Sequence, residues 1–88
     1  MASGPAFDKI EFSLVRAFHT VITERSVSRA ALRLHSSQPA VSAQLKRLRG
    51  LIGDPLLVRA GTGMAPTAVA LSLMPAASQL LQSAQALF

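Results

Sequence analysis

The chain contains no cysteine, so neither a disulfide framework nor a thiolate metal site is open to it. No apolar run approaches the ~18–20 residues needed to cross a bilayer. The opening segment, MASGPAFDKIEF, carries its charges after Phe7 and has no apolar centre, so it does not read as a secretory signal. There is no glycine-rich phosphate loop. Glu11 and Glu24 stand thirteen positions apart on one expected helix, which gives no carboxylate pair in a cleft. His19 and His35 lack neighbours at metal-ligand spacing. Together these absences argue against an enzyme and against a metal centre. Acid is scarce as well: four Asp and Glu face nine Lys and Arg, for a net charge of +5, a balance that favours an anionic partner.

Half of the 88 residues are hydrophobic, enough for one packed domain and too many for a disordered chain. A domain of this size buries only roughly 60% of its unfolded surface, so its core has little margin. The cations are concentrated. Arg25, Arg29, Arg33, Lys46, Arg47, Arg49 and Arg59 fall between positions 25 and 59, where Asp54 is the one acidic residue, and nothing after Arg59 is charged.

The chain divides at its turn signals. Gly4 and Pro5 mark residues 1–7 as an N-terminal arm. Asp8 with Glu11 has the form of a helix start, Asp8 capping a free N–H and Glu11 sitting in the positive first turn. That first helix is expected to run to about Glu24 with Leu14, Val15, Phe18, Val21 and Ile22 facing the core. Ser26 or Ser28 caps a short second helix, whose adjacent Ala30 and Ala31 permit close helix crossing. His35, Ser36 and Ser37 form a turn, and Ser37 is the expected cap of a third helix with Pro39 in its first turn, where a missing N–H costs nothing. Gly50 and Gly53 loosen the end of that helix, and Asp54-Pro55 stops it.

The third helix, about 37–52, carries the functional signal. Val41, Leu45, Leu48 and Ile52 repeat at helical spacing on one side. Pro39, Ala43, Lys46 and Arg47 fall on the far side, with Gln38 and Ser42 on a flank near the start. A helix that begins with amide and hydroxyl groups and continues with cations suits the major groove of DNA. Amides can read base edges there while Lys and Arg meet phosphates. Leu56-Leu57-Val58-Arg59, the turn Ala60-Gly61-Thr62-Gly63 and Met64-Ala65 suggest a short two-stranded wing at about 56–66. The loop shows no strict two-residue turn signature. From Thr67, an expected cap, the chain is again helical. Its apolar rows recur every seven residues: Leu73, Leu80 and Leu87; Met74, Leu81 and Phe88; Ala70, Ala77 and Ala84. Pro75 should bend this helix in its early half. These rows can cap the domain's own core or form a dimer seam, and an apolar arc wider than so small a core can cover favours the seam. The stop at Phe88 without a C-cap suggests a piece of a longer chain.

These residues resemble the N-terminal DNA-binding domain of LysR-type transcriptional regulators. The likeness rests on Phe18, on Ser26-Val27-Ser28-Arg29-Ala30-Ala31, on Leu34-His35-Ser36-Ser37-Gln38-Pro39-Ala40-Val41-Ser42, and on Lys46-Arg47-Leu48. It continues through Leu56-Leu57-Val58-Arg59 and Gly63-Met64-Ala65-Pro66-Thr67, and covers about positions 8–88. The resemblance implies a mainly α fold: a winged helix-turn-helix over 8–66, of three helices plus a short two-stranded wing, followed by a long linker and dimerisation helix over 67–88. It implies sequence-specific binding of double-stranded promoter DNA by a homodimer in the bacterial cytoplasm, with no membrane partner. Base contacts are expected from Gln38, Pro39, Ser42 and Ala43. Backbone contacts are expected from Ser28, Arg29, His35, Ser37, Lys46, Arg47, Arg59 and Thr62. The dimer interface is expected at Leu73, Met74, Ala77, Leu80, Leu81, Ala84, Leu87 and Phe88.

In the family an effector-binding domain normally follows and senses a small-molecule co-inducer. That domain is not within these 88 residues, so no cofactor is expected here, and a tetramer is expected only of a full-length protein. Two positions depart from the family pattern. Ala43 stands where a long basic residue is common, so a base contact is lost or replaced by an apolar one. Thr62 stands where the wing often has an extra Arg, which shifts phosphate contact toward Arg59 and backbone N–H groups. Two other readings stay open: a helical protein–protein module whose basic face docks an acidic partner, and a membrane-surface role for the last helix. The latter helix has no cation of its own, unlike typical interfacial helices.

Overall fold

A computed structural model of the chain describes residues 11–88. The arm at 1–7 and the Asp8 cap lie outside the described residues. The elements are α1 (Phe12–Glu24), α2 (Val27–Arg33), α3 (Gln38–Ile52), β1 (Leu57–Ala60), β2 (Gly63–Pro66) and α4 (Ala68–Leu87). This is a mainly helical winged helix-turn-helix.

Helix α1 begins later than the sequence pattern suggested. The Glu11 carbonyl accepts from the Leu14 and Val15 N–H groups at 2.9 and 3.3 Å, which makes Glu11 the N-cap residue rather than a first-turn one. Its side chain does not cap the helix but reaches Arg47, 3.4 Å away. The other starts are capped as expected. Ser26 Oγ accepts from Arg29 N–H at 3.1 Å, Ser37 Oγ from Ala40 N–H at 3.2 Å, and Thr67 Oγ1 from Ala70 N–H at 3.1 Å.

One core joins all the helices. Leu14, Phe18, Val21 and Ile22 of α1 meet Ala30 and Ala31 of α2 and Val41, Leu45 and Leu48 of α3, with Leu56, Leu57, Ala70 and Ala77 closing the far side. Val15 and Ile52 only partly join it, whereas Ala17, absent from the sequence reading, is buried. Ala30 has no exposed surface and lies in the core where α2 meets its neighbours, a place where a small side chain allows close helix approach. Leu32, on the opposite side of α2, is 77% exposed.

The turn between α2 and α3 follows from backbone hydrogen bonding. His35 takes a left-handed conformation at φ 52. Ser36 N–H donates to Ala31 O at 2.9 Å and His35 N–H to Leu32 O at 3.2 Å, the paired bonds of a Schellman ending. Helix α3 stays regular through Gly50 and ends at Gly53, whose φ of 79 gives it a left-handed C-cap.

The wing is tighter than its sequence suggested. β1 and β2 pair antiparallel with Ala60 opposite Gly63, leaving a two-residue loop, Gly61-Thr62. Gly61 has φ 58 while Thr62 keeps an ordinary negative φ, the pattern of a type II′ turn with glycine first. The Gly-X signature was therefore present, but strands reaching inward to Ala60 and Gly63 were not anticipated.

Helix α4 runs unbroken through Pro75, which is exposed. The seven-residue rows divide between two faces. Ala77 is buried and Met74 and Leu73 pack on the domain's own core, so Ala77 and Met74 are turned toward α1 rather than outward. Leu81, Ala84 and Phe88 border a cleft shared with α1. Leu80 and Leu87 face solvent, at 47% and 76% exposure. Periodicity alone cannot distinguish a row facing the home domain from one facing outward, which is why all were expected in one seam. His19 Nε2 and Ser78 Oγ, 2.9 Å apart, fasten α4 to α1.

Two substitutions test this packing. Ala30→Leu should cost about 1–3 kcal/mol by overfilling the α2 crossing, read as a lower urea midpoint at unchanged m. Ser37→Ala should cost about 0.5–2 kcal/mol by removing the α3 cap, read as a lower melting temperature.

Candidate nucleic-acid interface

Burial of Val41, Leu45 and Leu48 on one side of α3 leaves the other side bare. Gln38, Pro39, Ser42, Ala43, Lys46 and Arg47 are all exposed. The four candidate base readers therefore share the first turn and a half of α3, free of packing. The Ser37 cap and the Schellman turn fix where that tip projects, so its position rests on backbone geometry rather than on long side chains.

An open cleft of about 750 Å³ runs beside this tip, lined by Glu24 at the end of α1, by Arg25 and the start of α2 through Arg29, by Gln38 and Arg49 of α3, and by Leu57, Gly63 and Met64 of the wing; Glu24 there is paired with Arg33. The structure thus brings Ser28, Arg29 and Gln38 to one concave surface although they are spread over eleven positions. His35 and Lys46 lie outside the cleft lining, exposed on the turn and on α3. Arg59 and Thr62 are exposed on the wing.

The cations differ in how they are occupied. Arg29, Lys46 and Arg59 form no ion pair with any described residue. Arg47 meets Glu11 at 3.4 Å, with both side chains more than half exposed. Such a pair is worth roughly 0–1 kcal/mol, too little to withhold Arg47 from a phosphate. Arg33 is bound to Glu24 at 2.7 Å and serves the scaffold. Ser37 spends its hydroxyl on the helix cap, which leaves its remaining lone pair and proton for an outside partner. His35 contributes its left-handed backbone to the turn, while its ring makes no hydrogen bond to a described residue.

The contacts of three further residues were not read from the sequence, although Arg49 itself stands in its run of cations. Arg25 ends α1 in a left-handed conformation at φ 55 and turns toward the cleft; nothing in its neighbours marks that. Arg49 Nε donates to Pro55 O at 3.0 Å, tying the last turn of α3 to the approach to the wing. Asp54 Oδ2 accepts both from Leu56 N–H at 2.8 Å and from the Thr67 hydroxyl at 2.6 Å. The bond to Leu56, two residues on, is the Asx-turn habit of aspartate and was readable. The link to Thr67, thirteen positions away, was not.

Known proteins agree with this architecture. Residues 12–71 match the family described as bacterial regulatory helix-turn-helix protein, lysR family. The regulator LeuO of Escherichia coli K12 is 40% identical over 83 residues, covering 94% of this chain and 26% of LeuO. The activator NagR of a Ralstonia species is 45% identical over 64 residues, covering 73% of this chain and 21% of NagR. Among solved structures, a probable transcriptional regulator from Pseudomonas aeruginosa superposes with a TM-score of 0.84 at 32% identity, over 93% of this chain and 28% of its own. The BenM DNA-binding domain in complex with catB site 1 DNA superposes with a TM-score of 0.81 at 28% identity, over 89% of this chain and 88% of its own. The chain spans about a quarter of the length of the curated relatives it matches. These relatives are transcriptional regulators, not enzymes, as the absence of catalytic groupings led us to expect. With its winged helix-turn-helix, its bare recognition-helix tip and a family match over most of its length, the chain belongs to the LysR family of bacterial regulatory helix-turn-helix proteins.

Proposed function

We propose that this domain binds double-stranded promoter DNA as a homodimer and so regulates transcription. The start of α3 enters the major groove and the wing lies along the backbone. The observation that carries this reading is the unpacked cluster of Gln38, Pro39, Ser42 and Ala43, held by two caps beside unpaired cations. Gln38 can make a bidentate contact to adenine worth about 1–3 kcal/mol of discrimination. Ser42 follows one turn on, and Ala43 and Pro39 offer apolar edges suited to a thymine methyl. Arg29, Lys46, Arg47 and Arg59 meet phosphates, with Ser28, His35, Ser37 and Thr62 as neutral backbone contacts. The likeness to a domain solved on DNA supports the same docking.

The outward row of α4 supplies the dimer face. Val69, Leu80 and Leu87 recur at i, i+11 and i+18, one side of a helix, with the half-buried Leu73 at the edge of that side, and carry no charge. Two copies related by a two-fold axis would present their α3 tips to half-sites about one helical turn apart, or a multiple of it. No described helix is long and apolar enough to cross a membrane, and we place the protein in the cytoplasm with its DNA. The domain needs no cofactor for this role; any co-inducer would act through the remainder of a full-length relative's architecture, and a tetramer would need the same.

Titration against a dyad-symmetric promoter fragment tests the reading. Affinity should fall with salt at a log–log slope near −0.9 per phosphate neutralised. Gln38→Ala should relax preference at one base pair per half-site, whereas Lys46→Ala should weaken all sequences alike and flatten the slope by about 0.9. Binding indifferent to sequence and salt, or a complex lost to excess non-specific competitor, would favour the protein-docking alternative instead. The dimer face has its own test. Leu80→Glu should shift the chain from dimer to monomer in sedimentation velocity without lowering its helix content, and a dimer that survived it would place the seam elsewhere.

A further inference from the structure

Asp54 is out of place electrostatically. It is the one acidic residue between positions 25 and 59, within the segment that presents cations to a polyanion. Its side chain is only half-buried, so it adds repulsion toward phosphates, and its chemistry there needs another explanation.

The geometry supplies one. A single oxygen, Oδ2, accepts from the N–H of Leu56 and from the hydroxyl of Thr67. Leu56 is the residue before β1 and Thr67 the residue after β2, so the carboxylate spans the open end of the hairpin. The Thr67 N–H donates to Leu56 O at 3.0 Å, closing the same end through the backbone. The Thr67 hydroxyl oxygen also caps α4, and Arg49 holds Pro55 from the α3 side. A two-stranded hairpin is marginal by itself in water, and its orientation must be imposed from its base. Leu56 needs such support, since it is a bulky residue at φ 67, a left-handed backbone that leucine rarely adopts. Burial of its side chain holds one half of it, and the aspartate holds its N–H.

We infer that Asp54 is a positioning residue for DNA binding: its carboxylate clamps the base of the wing to the end of the recognition helix and so places Arg59 on the phosphate backbone. The inference rests on the DNA-binding reading above, since Arg59 has phosphates to meet only if that reading holds. The clamp also sets one wall of the cleft that contains Arg29 and Gln38, because Leu57, Gly63 and Met64 line it. Electrostatics and positioning predict opposite signs. Removal of a negative charge near DNA should tighten binding, whereas release of the wing should weaken it.

The test is a double-mutant cycle on the full chain with a promoter duplex. Asp54→Ala should weaken binding about three- to tenfold, the scale of a lost hydrogen bond, despite removing a repulsive charge. Arg59→Ala should flatten the salt slope by about 0.9 in the wild-type background and by less than half of that beside Asp54→Ala. Thr67→Ser, which keeps the hydroxyl, should bind as wild type. Amide exchange of the DNA-free chain provides an independent readout, with protection of β1 and β2 falling at least about tenfold in Asp54→Ala while α1 and α3 keep theirs. Should Asp54→Ala not fold, Thr67→Val, which removes the donated hydroxyl, should move every quantity in the same direction, whereas Asp54→Asn, whose amide oxygen can still accept both bonds, should keep wing protection and bind no more weakly than wild type. Equal or tighter binding by Asp54→Ala, an additive cycle, or unaltered wing protection in that variant would overturn the clamp. A wild-type chain that ignored DNA would overturn the underlying reading, and the exchange data would then judge the clamp by themselves.

Discussion

The orientation of α3 depends on three side chains that never leave the core. Val41, Leu45 and Leu48 are buried against α1, and full burial of such residues is worth about 1.5–3 kcal/mol each. No polar contact among the described residues approaches that sum. The two described ion pairs lie at or near the surface, where such pairs contribute roughly 0–1 kcal/mol. Rotation of α3 about its axis is therefore set from the inside, and the outward direction of Gln38, Pro39, Ser42 and Ala43 is its consequence. The proposed reading face has no packing role of its own, which lets its residues be chosen for what they would touch outside.

Backbone conformation supplies what packing cannot. The chain changes direction at Arg25, His35 and Leu56, all non-glycine residues with positive φ. A left-handed conformation costs an L-residue roughly 1–2 kcal/mol, so each junction needs an offset. At Arg25 the N–H donates to Val21 O at 2.7 Å; at His35 the two Schellman bonds close the end of α2; at Leu56 burial and the Asp54 carboxylate act together. Gly53, whose N–H donates to Arg49 O at 2.8 Å, and Gly61 take positive φ without that cost, because they have no Cβ. The strained junctions all flank the interface: the end of α1 beside the cleft, the turn before α3, and the base of the wing.

The sequence disclosed what depends on neighbours along the chain and concealed what depends on neighbours in space. The caps at Ser26, Ser37 and Thr67 and the inner stripe of α3 follow from spacing of a few residues, and all were legible. The family motif made the winged architecture legible too. The Glu11 side chain was misjudged because its partner, Arg47, lies thirty-six positions on. The Asp54–Thr67 bond and the His19–Ser78 bond were invisible for the same reason. In the wing, Gly61-Thr62 was present as a local signal but was overlooked, because two glycines in four residues read as looseness rather than as a defined turn. The rows of α4 posed a different difficulty. Their repeat is real, but it does not say which row belongs to the domain's own core, and only the contact with α1 assigns Met74 and Ala77 inward.

That division of α4 explains why charge ends at Arg59. Two copies of a domain carrying +5 repel one another, though salt limits the range of that repulsion to about 8 Å at physiological ionic strength. A dimer seam bearing further cations would add repulsion at contact distance, where screening does little. A neutral helix avoids this. Its outward leucines would supply the proposed dimer with attraction that needs no charge, while the cations stay on α2, α3 and the wing. In the proposed dimer the two recognition faces would then be held apart by an uncharged spacer, and the phosphates of the duplex, lying between them, would turn the remaining mutual repulsion into shared attraction. Association of the subunits and binding of DNA would thus respond oppositely to salt, the first strengthened as repulsion is screened and the second weakened as counterions compete for phosphate.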